Sequence, residues 1–142
     1  MNLREDDNRL TPTERQALAD ALDDEYKAHT TYDQVIRDFG PVRPFINIVE
    51  AEARHIAALR SLFEQYRIPA PENRWLDKTP RFSNVHEACV AGVQGEIDNV
   101  SLYDRLLEST QRPDILTVFQ ALRSASQDRH LPAFKRCAQR AS

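Results

Sequence analysis

RIPAPENRWLDKTPRFS, residues 67–83, is the one long stretch of this chain that lacks helical spacing, and its reading decides the fold. Pro69 and Pro71 stop whatever helix precedes it. Fully extended it spans roughly 55 Å at about 3.3 Å per residue, whereas a helix of some 23 residues is only about 35 Å long. Such a segment can cross a bundle from one end to the other. Trp75, Leu76 and Phe82 give it apolar groups to pack, which argues against a slack linker.

Outward from this crossover the punctuation is that of helices. In "TPTE", Thr11 is an N-cap, Pro12 sits at the first helical position and Glu14 closes a capping box. That helix should run over 12–39, to Gly40-Pro41. Pro44 opens a second, 44–66. Asn84 with Glu87 caps a third, 85–109, and Pro113 opens a fourth, 113–139, in which Pro132 removes a backbone donor and should kink the helix where the Asp128 carbonyl loses its bond. Nothing reads as a strand. The joints at 40–43 and 110–112 are short, so each pair of helices forms an antiparallel hairpin. The expectation is one all-α domain over 1–142: a four-helix bundle of two hairpins joined by a long crossover.

Composition removes several classes of function. The chain has 142 residues and a net charge of -3, with Lys and Arg scattered among Asp and Glu, so the basic stripe of a nucleic-acid binder is missing. No apolar run approaches the roughly 20 residues a membrane span needs. The start, "MNLREDDNRL", is too polar for a signal-peptide core. A cytoplasmic protein is expected, or an exported one should a signal precede this sequence. A homodimer stays open. Cys89 and Cys137 form no Cys-x-x-Cys, which excludes a rubredoxin-type iron site or a zinc ribbon.

The helical stripes carry charge where a core should be apolar. In "VEAEARHIAALRSLF", residues 49–63, Glu52 and His55 fall in the stripe of Val49, Ile56, Leu59, Leu62 and Phe63. Helix one reads Leu18, Leu22, Glu25, His29, Tyr32, Ile36, Phe39. Helix three reads Cys89, Val93, Glu96, Val100, Tyr103, Leu107, so a glutamate is followed two turns later by a tyrosine in both. Helix four supplies Gln127-x-x-His130 opposite Glu52-x-x-His55 of helix two. Residues three apart project from one helix face, so a glutamate and a histidine at that spacing grip one divalent ion. A lone Glu-x-x-His is most often a solvated face. Two such pairs, with a glutamate from each remaining helix, form the ligand pattern of a carboxylate-bridged dinuclear site. Glu25, Glu52, His55, Glu96, Gln127 and His130 are therefore the candidate ligands, and the three carboxylates and two imidazoles among them are expected to converge within a sphere of about 5 Å radius in mid-bundle. Tyr32 and Tyr103 are read as buried tyrosines with satisfied hydroxyls or as donors to those carboxylates; His29 is an extra ligand or a histidine bonded to a neighbour. Arg123 faces solvent or pairs with Glu96.

The two cysteines lie in inward stripes at the same end of the bundle. A disulfide needs Cα atoms within about 7 Å, closer than the usual 8–10 Å between packed helix axes, so a reduced, buried pair is expected first, with a redox-active disulfide as the alternative.

"VRPFINIVEAEARHIAAL", "GEIDNVSLYDRLL" and "SASQDRHLPAFKRC" resemble an uncharacterised ferritin-like domain family, and the likeness to the ferritin-like superfamily runs from about Thr13 to Cys137. The resemblance implies Glu25 and Glu96 as terminal carboxylates, Glu52 as a bridging one, and His55 and His130 as imidazole ligands. It implies iron as the cofactor, with manganese or zinc as alternatives, and an oxidoreductase reacting with oxygen or peroxide. Storage or sensing of metal without turnover, and a structural bundle with a degenerate site, are the other readings. Gln127 stands where a second bridging glutamate is expected. A neutral amide there should weaken the site, which would then hold one or two ions, and Gln127→Glu should tighten it. No methionine besides Met1 is present to ligate an inter-subunit haem.

Overall fold

The Thr11 hydroxyl accepts from the Glu14 N–H at 3.0 Å and the Glu14 carboxylate accepts from the Thr11 N–H at 2.9 Å. This box, with Pro12 in the first turn, opens α1, Pro12–Phe39. The computed structural model describes residues 9–140, so the polar N-terminal start lies, up to residue 8, outside the described residues. Gly40, at φ +89, takes the chain out of α1. Next comes α2, Phe45–Gln65, closed by Arg67 in the left-handed region and by the Ile68 N–H on the Phe63 carbonyl. Asn84 accepts from the Glu87 N–H at 2.8 Å and opens α3, Val85–Leu106. The fourth helix comes in three parts: α4, Pro113–Ala125; a wide π-type turn, Ser126–His130; and α5, Leu131–Arg140. The described residues contain no strand.

Side-chain pairings fix the directions. Glu14 meets Thr110, Glu25 meets Tyr103 and Tyr32 meets Glu96, so α1 and α3 are antiparallel neighbours. Tyr66 meets Asp114 and Glu52 meets His130, so α2 runs antiparallel to α4 and α5. Tyr32 packs on Phe45 and Glu25 faces His55, so α1 and α2 are antiparallel too; α2 and α3 therefore point the same way, and the segment between them has to travel the length of the bundle. It does so along α1. Tyr26 donates to the Pro71 carbonyl, Asn73 donates to Thr30, Arg74 grips Asp23 with two nitrogens, and Arg81 binds Asp38. Trp75 donates its indole N–H to Asp23 and lies against the cations of Lys27 and Arg74. Phe82 is half-buried. Leu76 differs from expectation: Trp75 takes the inward position in that turn, and Leu76 is 62% exposed.

The apolar interior comes in two parts. Leu18, Leu22, Leu59, Phe63, Leu106 and Phe119 fill one end. Val35, Phe45, Ile48, Cys89, Phe134 and Cys137 fill the other. The polar middles of the helices lie between them.

Cys89 and Cys137 form a disulfide, with Cα atoms 5.8 Å apart. The expectation of a reduced pair is thereby corrected, and the physical reason lies one turn away. At Gly92 a Cβ would stand 2.6 Å from the Phe134 ring, so the missing side chain lets α3 and α5 approach closer than ordinary helices do.

Candidate metal centre

Glu25 from α1, Glu52 and His55 from α2, Glu96 from α3 and His130 from the wide turn are all buried, none more than 8% exposed. Their ligand-type atoms gather in two groups, Glu25 with Glu52 and His55, and Glu52 with Glu96 and His130, each within 4.8 Å. Glu52 belongs to both. His130 Nδ1 stands 3.2 Å from one oxygen of Glu52 and 3.2 Å from Glu96. His55 Nδ1 stands 3.5 Å from Glu25 and 3.7 Å from the other oxygen of Glu52. The two imidazole rings lie nearly parallel, 5.6 Å apart.

The tyrosines cross between the hairpins. Tyr32 of α1 donates to Glu96 of α3 at 2.5 Å, and Tyr103 of α3 donates to Glu25 of α1 at 2.7 Å. Each outer glutamate is therefore oriented by the tyrosine of the opposite helix. Burial and the nearby carboxylates hold both phenols well above their ordinary pKa, so they stay protonated and act as donors.

Gln127 departs from expectation: it is exposed and takes no part in the cluster. Proline at 132 brings no N–H, and the helix widens just before it, with the Leu131 N–H reaching back five residues to the Ser126 carbonyl. The wider turn moves the residue three before His130 off its face and leaves Ser126, four before it, pointing inward at 1% exposure. Ser126 donates to the Asn99 carbonyl oxygen at 2.7 Å. The Asn99 amide donates to Asp24 at 2.6 Å and reaches Glu25 at 3.3 Å. Where a second shared carboxylate was expected, the chain has this neutral serine–asparagine link. The count of three from Glu96 to Asn99 was a usable signal in the sequence; Ser126 had only Pro132 to announce it. His29 lies outside both groups, and Arg123 binds Asp104 at 2.6 Å instead of Glu96.

Of three buried polar side-chain atoms without a hydrogen-bond partner among the described residues, two, Glu52 Oε2 and His55 Nδ1, lie in the centre, and the third is His86 Nδ1. Unpaired buried polar atoms are costly, and a cation that displaced the imidazole proton would satisfy both. The donor set also fits: three carboxylates and two imidazoles suit divalent first-row metals, while both thiols are tied in the disulfide. Burial, then the Glu52 charge, pushes Glu25 up to about 8. Burial works against Glu52 too, but the Glu25 carboxyl and both histidines hold it below the ordinary range. Burial alone would depress the histidines. The facing carboxylates outweigh it, pushing His55 up to about 10 and His130 to about 9. Without metal, protons occupy the places cations would take.

Fold and cluster together define an all-helical bundle of four helices with a buried carboxylate–imidazole centre suited to metal. No protein-family description matches the chain. It is similar to uncharacterized protein MJ0754 of Methanocaldococcus jannaschii, at 24% identity over 89% of this chain and 76% of that protein. The crystal structure of hypothetical protein MJ0754 from Methanococcus jannaschii matches it with a TM-score of 0.78, covering 93% of this chain and 83% of that one. At 24% identity the likeness carries the fold alone.

Proposed function

We propose that this chain is a ferritin-like metal protein whose buried centre takes two divalent cations, iron foremost, with manganese or zinc as alternatives. The observation that carries the reading is the sharing of Glu52 between two groups that each contain a terminal carboxylate and an imidazole. Shared carboxylates hold two cations close together by offsetting their mutual repulsion. The helix directions and the long crossover agree with a ferritin-like arrangement. When bound, a pair of irons supplies redox chemistry toward oxygen or peroxide, and the proposed activity is an oxidoreductase of that type. The chain's own residues would do the rest. Tyr32 and Tyr103 orient the outer carboxylates, and the apolar clusters on either side keep bulk water from the centre.

The serine–asparagine link favours a second reading, metal storage or sensing without turnover. Neither residue brings a charge, so the centre has three carboxylates where a second shared one would make four, and it holds a pair of cations less tightly. Metal analysis of unsupplemented purified protein, with anomalous scattering at the iron and zinc edges and a measurement of oxygen uptake, tests both. Iron with oxygen consumption supports the oxidoreductase. Stoichiometric metal without turnover supports storage or sensing, and protein that binds none of the three metals refutes the centre.

A further inference from the structure

The centre is almost sealed, yet ions have to reach it. A cleft of about 280 Å³ opens between α1, α3 and the end of the crossover at Pro80 and Phe82, and Tyr32, Glu96 and Asn99 line its inner wall. Glu96 is only 2% exposed, but the residue before it, Gly95, lies on the exposed surface. A Cβ placed on Gly95 would meet nothing nearer than the Tyr32 hydroxyl, at 3.8 Å. The wall over the Tyr32–Glu96 hydrogen bond is thus one glycine thick.

The charge around this cleft has one dominant sign. Asp24 and Asp98 line it together with Glu96. Asp24 accepts from the Asn99 amide and Asp98 from the Gln94 amide, both of them neutral donors. Lys27 is the one cation among the lining residues, and its ammonium sits 5.2 Å from the Trp75 ring, drawn toward the crossover. A cleft lined by one sign of charge concentrates ions of the other and speeds their capture.

We propose that this cleft is the entry port through which divalent cations reach the centre, with Asp24 and Asp98 drawing the ion in, Gly95 leaving the opening, and Glu96 as the first ligand met. The proposal rests on the metal-centre reading and adds a route to it. Its signature is kinetic: closing the port should slow loading while the bound stoichiometry stays the same.

The test is stopped-flow loading of metal-free protein with Co(II) under nitrogen, alongside equilibrium titration of the same samples. Gly95→Leu fills the opening and should slow loading by at least about tenfold with unchanged stoichiometry. Gly95→Ala adds only an ordinary contact and should load like the wild type. Asp98→Asn, on an exposed position, should slow loading by about two- to fivefold at low salt, with the difference vanishing near 0.5 M salt; it decides the matter if the leucine disturbs the helix. Wild-type loading rates in both Gly95→Leu and Asp98→Asn would overturn the port while leaving the centre intact. Wild-type protein that binds no Co(II) would overturn the centre, and the port with it.

Discussion

Glu52 turns one oxygen toward His130 and the other toward His55, and the second has no hydrogen-bond partner. Removing its charge should therefore affect both halves of the centre at once. Glu52→Gln keeps the shape and is expected to weaken both binding events by at least about tenfold each, since one lost charge–cation contact in a buried site exceeds 1.4 kcal/mol. Glu25→Gln should weaken only the event on the His55 side. Titration with Fe(II) or Co(II), counting equivalents, separates the two patterns; equal losses in both variants would remove Glu52 from its shared role. Gln127→Glu, expected from sequence to tighten binding, is now forecast to leave it nearly unchanged. The residue is exposed, so affinity should change by less than about twofold, and a clear rise would mean that a carboxylate at 127 reaches the centre after all.

Helices explain both what was legible in the sequence and what was not. Caps and prolines are local signals: Thr11, Pro12 and Gly40 marked both ends of α1, and Asn84 and Pro113 marked the starts of α3 and α4. Glu25, Glu52, His55 and Glu96 were legible because their helices keep one period throughout. The Ser126–His130 turn breaks that period, so a count that assumes it chose Gln127 over Ser126. The close approach of α3 and α5 was illegible for another reason: it belongs to two helices at once, through Gly92 beneath Phe134. Two losses are expected there. Gly92→Ala drives a methyl group into the ring and should cost about 1–3 kcal/mol. Replacing both cysteines by serine removes a bridge across a sequence separation of 48 residues and should cost up to about 4 kcal/mol by loop-closure entropy. The sites share one contact, so the triple variant should lose less than the sum. Urea denaturation of all three measures this, and strict additivity would mean that the glycine does not act by seating the disulfide.

Across the whole molecule, the two apolar clusters close on a layer of charge, and the fold has to neutralise that layer by protons or by cations. This makes stability depend on pH in a direction that metal should reverse. Glu25 moves from an ordinary 4.5 up to about 8, His55 from 6.5 to about 10, and His130 from 6.5 to about 9. All three are raised, so the folded chain keeps protons that the unfolded chain has already released. Their contribution is complete below the ordinary values and is lost as pH climbs through the raised ones, at about 1.4 kcal/mol per pH unit for each proton so held. In chelator the Tm should therefore fall steadily from pH 6.5 to pH 9.5. Cations compete with those same protons, so metal affinity should rise over that range, and the stabilisation given by a fixed excess of metal should grow with it. Thermal melts at half-unit pH intervals, with chelator and with Co(II) or Zn(II), would show the two curves diverging toward high pH. A metal-free Tm that stays flat or rises between pH 6.5 and 9.5 would show that the buried carboxylates and imidazoles do not hold the protons assigned to them.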